Sequence, residues 1–217
     1  LEKMTVVPVG VDHDTFKPDA TIVKIKGRII VTTSSDAPMK GLVPLLEAVA
    51  QIRISRDVSL TIIGNPSAHG PIAAALSRLS LAEHVHTVFG VSDDELVAKY
   101  AEAEVAVVPS LYEGFSLPAI EAMSCGVPLV ATTGGALPEV VGENGVTGLL
   151  VEPGNVSALA DAIEQLLEDE TLRKKIGAAG RARVLHRFTW EVTARGTEAC
   201  YLALLNETDL PLAMTFN

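Results

Sequence analysis

Between residues 28 and 151, short β-branched runs alternate with segments whose apolar residues recur at helical spacing. That alternation marks a parallel sheet covered by helices on both faces, an α/β, Rossmann-like arrangement. The runs predict strands at 28–33, 59–63, 85–89, 105–108, 129–131 and 148–151. Between the first two, Leu42, Leu45, Leu46, Val49 and Ile52 define one buried helical face. Pro44 is compatible with that helix only in its first turn, so the helix begins near Gly41. Ser92 and Glu95 form an S-x-x-E capping box that starts a second helix through Leu96, Val97 and Tyr100. Further helices are predicted at 157–168 and 171–188, and Thr189 reads as the N-cap of a last one ending near Leu205.

Residues 5–9 open the chain in a strand-like pattern. The chain begins at Leu1 without an initiator Met, so we expect a piece of something longer. Residues 1–20 read as a linker-like start and 206–217 as an irregular tail. No Gly-, Ser- or Pro-rich linker and no repeat divides what lies between, so one domain is expected over 1–217.

Composition narrows the function classes. With 17 basic against 27 acidic residues the net charge is −10, which argues against a phosphate-neutralising surface and so against nucleic acid as a partner. Cys125 and Cys200, the two cysteines, lie far apart in apolar helical patterns and read as reduced, buried thiols of a cytoplasmic protein. No apolar run is long enough to span a bilayer. His84 and His86 share a strand face but lack a third ligand, and Asp12-His13-Asp14 reads as a turn, so no metal and no cofactor is expected. Neither G-x-G-x-x-G nor a P-loop occurs.

The chemistry concentrates after the fourth predicted strand, in Glu113-Gly114-Phe115-Ser116-Leu117-Pro118 and on to Glu121. Ligands of open parallel sheets bind at the carboxyl ends of strands, and this loop leaves one. Pro118 suits the first turn of a helix, so Ser116 and Leu117 stand at a helix mouth whose free N–H groups attract an anion such as a diphosphate. Gly114 leaves the backbone open to close approach. Glu113, before the helix, and Glu121, about a turn inside it, are expected to face the same crevice. Carboxylates are poor partners for phosphate and good acceptors for sugar hydroxyls. A diphosphate with a polyol on each side describes a nucleotide sugar.

The E-x7-E spacing of Glu113 and Glu121, set in YEGFSLPAIEAMSCGVPLVAT, resembles the signature of retaining glycosyltransferases of family 4, which have the GT-B fold. PVGVDHDTFKPD, MKGLVPLLEAVA, VFGVSDDELVAKYAEAEVAVVPS, GGALPEVVGENGVTGLLVEP and FTWEVTARGTEACY extend the likeness from Pro8 to Tyr201. The resemblance implies the C-terminal, donor-binding half of that fold, with the acceptor held by an N-terminal domain absent here. It implies that Glu113 contacts hydroxyls of the transferred sugar and Glu121 those of the ribose. Amides at Phe115, Ser116 and Leu117 would hold phosphate and sugar oxygens, Lys40 would neutralise the departing diphosphate, and Gly90, Val91 and Ser92 would meet the nucleobase.

One departure stands out. Where the family carries an Arg five or six residues before that Lys, this chain has Ser35 and Ser34, so a guanidinium clamp is missing there. Two alternatives stay open: a non-catalytic nucleotide-sugar-binding module, and an epimerase or phosphorylase on the same fold. Membrane association of the parent protein is not legible in this half.

Overall fold

The computed structural model describes residues 4–205. Its strands are β1 (Arg28–Thr32), β2 (Ser59–Ile63), β3 (Val85–Val88), β4 (Val105–Val108), β5 (Leu129–Thr132) and β6 (Leu149–Val151). All are parallel, in the order β3-β2-β1-β4-β5-β6. Period-two alternation sends their side chains into two cores. Ile29, Val31, Val105, Val107 and Val130 enter one; Ile30, Ala106, Val108, Leu129 and Ala131 enter the other.

The first core is closed by α1 (Leu42–Ile52), α2 (Pro71–Arg78) and α6 (Val156–Glu168). Leu45, Leu46, Val49 and Ile52 of α1 are fully buried, each side chain contributing about 2 kcal/mol by removal from water. The second core is closed by α3 (Asp93–Glu102), α4 (Leu117–Ser124), α5 (Leu137–Val141) and the C-terminal part of α7 (Glu170–Arg187). The last helix is α8 (Trp190–Leu205), and Thr189 caps it by accepting the Val192 amide at 3.3 Å. Among the described residues no helix is long and apolar enough to cross a membrane.

Two features depart from the sequence pattern. The strand expected at 5–9 does not form, because no neighbouring strand offers it a ladder; the single bridge nearby, Val11 to Thr189, lies beyond it. Val11 and Phe16, within the stretch read as linker-like, are instead buried in the second core. Helix α2 went unread because it is short and only Ile72 and Ala75 are buried along it. The predicted tail at 206–217 lies outside the described residues.

The capping box of α3 forms in both directions: the Ser92 hydroxyl accepts the Glu95 amide at 3.3 Å, and the Ser92 amide donates to Glu95 Oε2 at 2.8 Å. Ser92→Ala should lower the unfolding free energy by about 1 kcal/mol. A urea titration would read this as a lower midpoint at unchanged slope.

Candidate functional site

The strand order reverses direction between β1 and β4. Chain leaving β1 runs toward β2 and β3, and chain leaving β4 runs toward β5 and β6. A crevice at the carboxyl edge therefore opens between these two strands, the usual ligand position in such sheets. The loops that border it carry Lys40 and Glu113.

After β1, the Thr33 hydroxyl donates to the Ser35 carbonyl at 2.6 Å and closes a tight turn. A 3-10 turn, Pro38–Lys40, follows and ends on Gly41 in the left-handed conformation. The Leu111 amide donates to the Met39 carbonyl at 2.8 Å, so the β1 and β4 loops are tied through main chain. Across that tie Lys40 Nζ donates to Glu113 Oε1 at 2.9 Å, and the Ser110 hydroxyl donates to the same oxygen at 2.7 Å. The Glu113 side chain is 14% exposed, so the pair lies in a site where charge is weakly screened.

The backbone of Glu113 is held from the other side. Its carbonyl accepts the Ala136 amide at 2.8 Å, and it bridges Gly135. A side chain at Gly135 would overlap the Glu113 carbonyl. The Thr132 hydroxyl donates to the Ser110 carbonyl and accepts the Gly134 amide at 3.3 Å. The Gly134-Gly135 pair thus lets the β5 loop press against the β4 loop and fix Glu113.

At the mouth of α4, the Ser116 hydroxyl caps the helix by accepting the Ala119 amide at 3.3 Å, and Pro118 in the first turn has no N–H. The amides of Gly114, Phe115, Ser116 and Leu117 donate to no other described residue. These unpaired N–H groups stand at and just before the positive end of a helix, where anionic oxygens are favoured. No atom stands within 4 Å of where a Gly114 side chain would begin. Phe115 is steadied edge-on by Phe188, ring centroids 6.0 Å apart.

Glu121 lies within α4, after its first turn. It is half-buried, and the Tyr100 hydroxyl donates to its Oε2 at 3.3 Å. Burial raises its pKa above the usual carboxylate value, which the Tyr100 hydrogen bond partly offsets and the nearby Asp93 reinforces.

The remaining expected residues fall in three places. Gly90 follows β3 with φ 69° and open space where a side chain would begin. The Ser92 amide and hydroxyl are both committed to Glu95, which leaves main chain at Gly90 and half-buried Val91 as the accessible part of that segment. Ser34 is exposed and Ser35 half-buried, and neither hydroxyl bonds to another described residue. From the end of β3 to that of β4 is three strand spacings, about 14 Å at about 4.8 Å each.

The sequence matches the family described as glycosyl transferases group 1 over residues 15–183. The chain belongs to that family. Among curated relatives it is 44% identical over 200 residues to the MMP alpha-(1->4)-mannosyltransferase of Mycolicibacterium hassiacum, covering 92% of this chain and 48% of the relative. It is 35% identical over 208 residues to the GDP-mannose-dependent alpha-(1-6)-phosphatidylinositol monomannoside mannosyltransferase of Mycobacterium tuberculosis, covering 87% and 53% respectively. Among solved structures, sucrose-phosphate synthase from Thermosynechococcus elongatus superposes with a TM-score of 0.83 at 31% identity, over 93% of this chain and 53% of that one. The chain spans about half the length of the curated relatives it matches.

Within this group 1 chain, residues that the sequence pattern did not single out complete the site. Ser110 stands in the loop after the fourth predicted strand with no role expected of it, and its hydroxyl shares the Glu113 oxygen with Lys40. Tyr100 read as one apolar position of α3, although a buried phenol needs a partner for its hydroxyl and so was a signal in itself. Asp12 accepts from Thr15 and from the Asp14 amide, which makes Asp12-His13-Asp14 the turn expected of it. Cys125 and Cys200 are free thiols, and burial pushes the Cys125 thiol up to about 12, too high for a reactive thiolate.

Proposed function

We propose that this chain holds the nucleoside diphosphate sugar of a glycosyltransferase that transfers the sugar with retention to an acceptor bound by a facing domain. The observation that carries the reading is the Lys40–Glu113–Ser110 contact at the strand-order reversal, beside the open amides of the α4 mouth. In this reading the diphosphate lies on the amides of Phe115, Ser116 and Leu117. Glu113 accepts hydroxyls of the sugar, Glu121 those of the ribose, and the main chain at Gly90 and Val91 meets the base. The name of the Mycobacterium tuberculosis relative states a dependence on GDP-mannose, which supports a guanosine diphosphate sugar as the donor.

The reaction breaks the bond between the anomeric carbon and a diphosphate oxygen, and the electron pair leaves on the diphosphate. The acceptor hydroxyl oxygen bonds to the same carbon on the same face, and its proton passes to the departing diphosphate. Negative charge grows on the leaving group as the bond breaks. Lys40 and the helix mouth meet that charge without a metal in this proposal, and stabilisation that strengthens in the transition state raises the rate.

Calorimetric titration of the chain with GDP-mannose, UDP-glucose and ADP-glucose tests the reading. GDP-mannose should bind most tightly. Glu121→Ala should weaken it by about 2 kcal/mol, the scale of hydrogen bonds to a charged group. Binding of none of the three would remove the donor assignment, and equal binding by Glu121→Ala would remove Glu121 as the ribose acceptor.

A further inference from the structure

We infer that Tyr100 is a positioning residue for donor binding, which fixes the Glu121 carboxylate in its ionised form for the two ribose hydroxyls. This rests on the reading of Glu121 as the ribose acceptor.

Tyr100 is buried to 1% exposure in the second core, and its hydroxyl reaches three groups on two other elements. Thr32 Oγ1, on the last residue of β1, lies at 3.0 Å; Glu121 Oε2 at 3.3 Å and the Pro118 carbonyl at 3.4 Å both belong to α4. A phenol carries one proton, and neither the carboxylate nor the carbonyl can donate. The proton therefore goes toward α4, where the ionised carboxylate is the stronger acceptor. Thr32 must then be the donor to the phenolic oxygen. The result is a chain of two hydrogen bonds, Thr32 to Tyr100 to Glu121, running from the end of β1 to the helix that borders the crevice.

Tyr100 is the sole described residue that donates to the Glu121 carboxylate, and no described cation pairs with it. The titratable groups that face it are Asp93 and Tyr100 from α3 and Cys125 at the C-cap of its own helix, while β1 offers only the neutral Thr32 hydroxyl through Tyr100. Burial and Asp93 favour the protonated acid, and Tyr100 opposes them. Glu121 Oε1 accepts from no described residue and remains for a ligand. A ribose diol donates two hydrogens, so the carboxylate must be charged and correctly turned to receive both. Protonation or rotation would remove one acceptor. A tyrosine that merely filled the core would show neither a ligand-dependent nor a pH-dependent effect on removal of its hydroxyl.

The experiment titrates the chain, Tyr100→Phe and Thr32→Val with GDP and with 2′,3′-dideoxy-GDP, from about pH 5 to about pH 8. The dideoxy ligand carries the same phosphate titration, with a second pKa of about 6, and cancels it. The unsubstituted chain should prefer GDP by about tenfold. Glu121 binds the diol when ionised, so this preference fades as pH falls through its raised pKa. In Tyr100→Phe the preference should fall to about twofold near neutrality, and its acid limb should move to higher pH. Full preference with an unmoved acid limb in Tyr100→Phe overturns the inference alone. No preference in the unsubstituted chain overturns the reading of Glu121 instead. If Tyr100→Phe is unfolded by circular dichroism, Thr32→Val decides: it keeps the ring, and an unchanged preference and acid limb there overturn the inference.

Discussion

Replacing Gly41 by alanine should destabilise the chain by about 3 kcal/mol or more, the range of substitutions that force backbone apart. Gly41 has φ 67°, a conformation that costs other L-residues about 1–2 kcal/mol. Its position is also crowded: a side chain there would overlap the Pro109 carbonyl and touch the Pro109 ring. Pro109 leaves β4 and Gly41 leaves the β1 loop, so relief of the clash requires opening the central strand pair. Gly41 is also the residue from which α1 departs, and α1 buries Leu42, Leu45, Leu46 and Val49. The control is Gly114→Ala, where open space surrounds the position and stability should change by about 0.5 kcal/mol or less. Urea denaturation of both variants checks the contrast. A Gly41→Ala variant within about 1 kcal/mol of the parent would mean that the two loops separate easily, and that the Lys40–Glu113 contact is not held by the backbone.

Strand positions were legible because a strand buried on both faces is a short apolar run rich in β-branched residues, as in Leu60-Thr61-Ile62-Ile63 and Val105-Ala106-Val107-Val108. Helix starts were legible where a side chain makes the cap, as at Ser92 and Thr189. The start of α2 was not, since its cap is Gly70, which makes no side-chain cap, and Pro71 opens a helix with only Ile72 and Ala75 buried. Residues 5–9 failed for another reason: strand propensity is local, whereas a strand exists only with a partner. In the site, the helix mouth at Ser116–Pro118 follows from local chemistry and was read correctly as a mouth. The Lys40–Glu113 contact joins residues 73 apart and depends on β1 lying beside β4, which spacing alone cannot state. The same adjacency underlies the link from Thr32 to Glu121 through Tyr100.

Lys40→Met should lower the rate of sugar transfer by about a hundredfold to a thousandfold, with a much smaller change in donor affinity. The measurement is initial-rate kinetics with the acceptor-binding half in place. In the absence of donor, Lys40 spends its charge on Glu113. In the proposed function, a bound diphosphate competes for the same ammonium as a more negative partner, and the leaving group becomes more negative still as the bond to the anomeric carbon breaks. The interaction therefore strengthens along the reaction, which places the loss in kcat and not in KM. Methionine keeps the length and apolar body of the stem, so lost packing contributes little. If Lys40 served only to orient Glu113, Lys40→Met would cost no more than Glu113→Gln, and their combination no more than Glu113→Gln alone. If it serves the leaving group, the double variant should be slower than either single one, because two different charges in the transition state would have lost their partners.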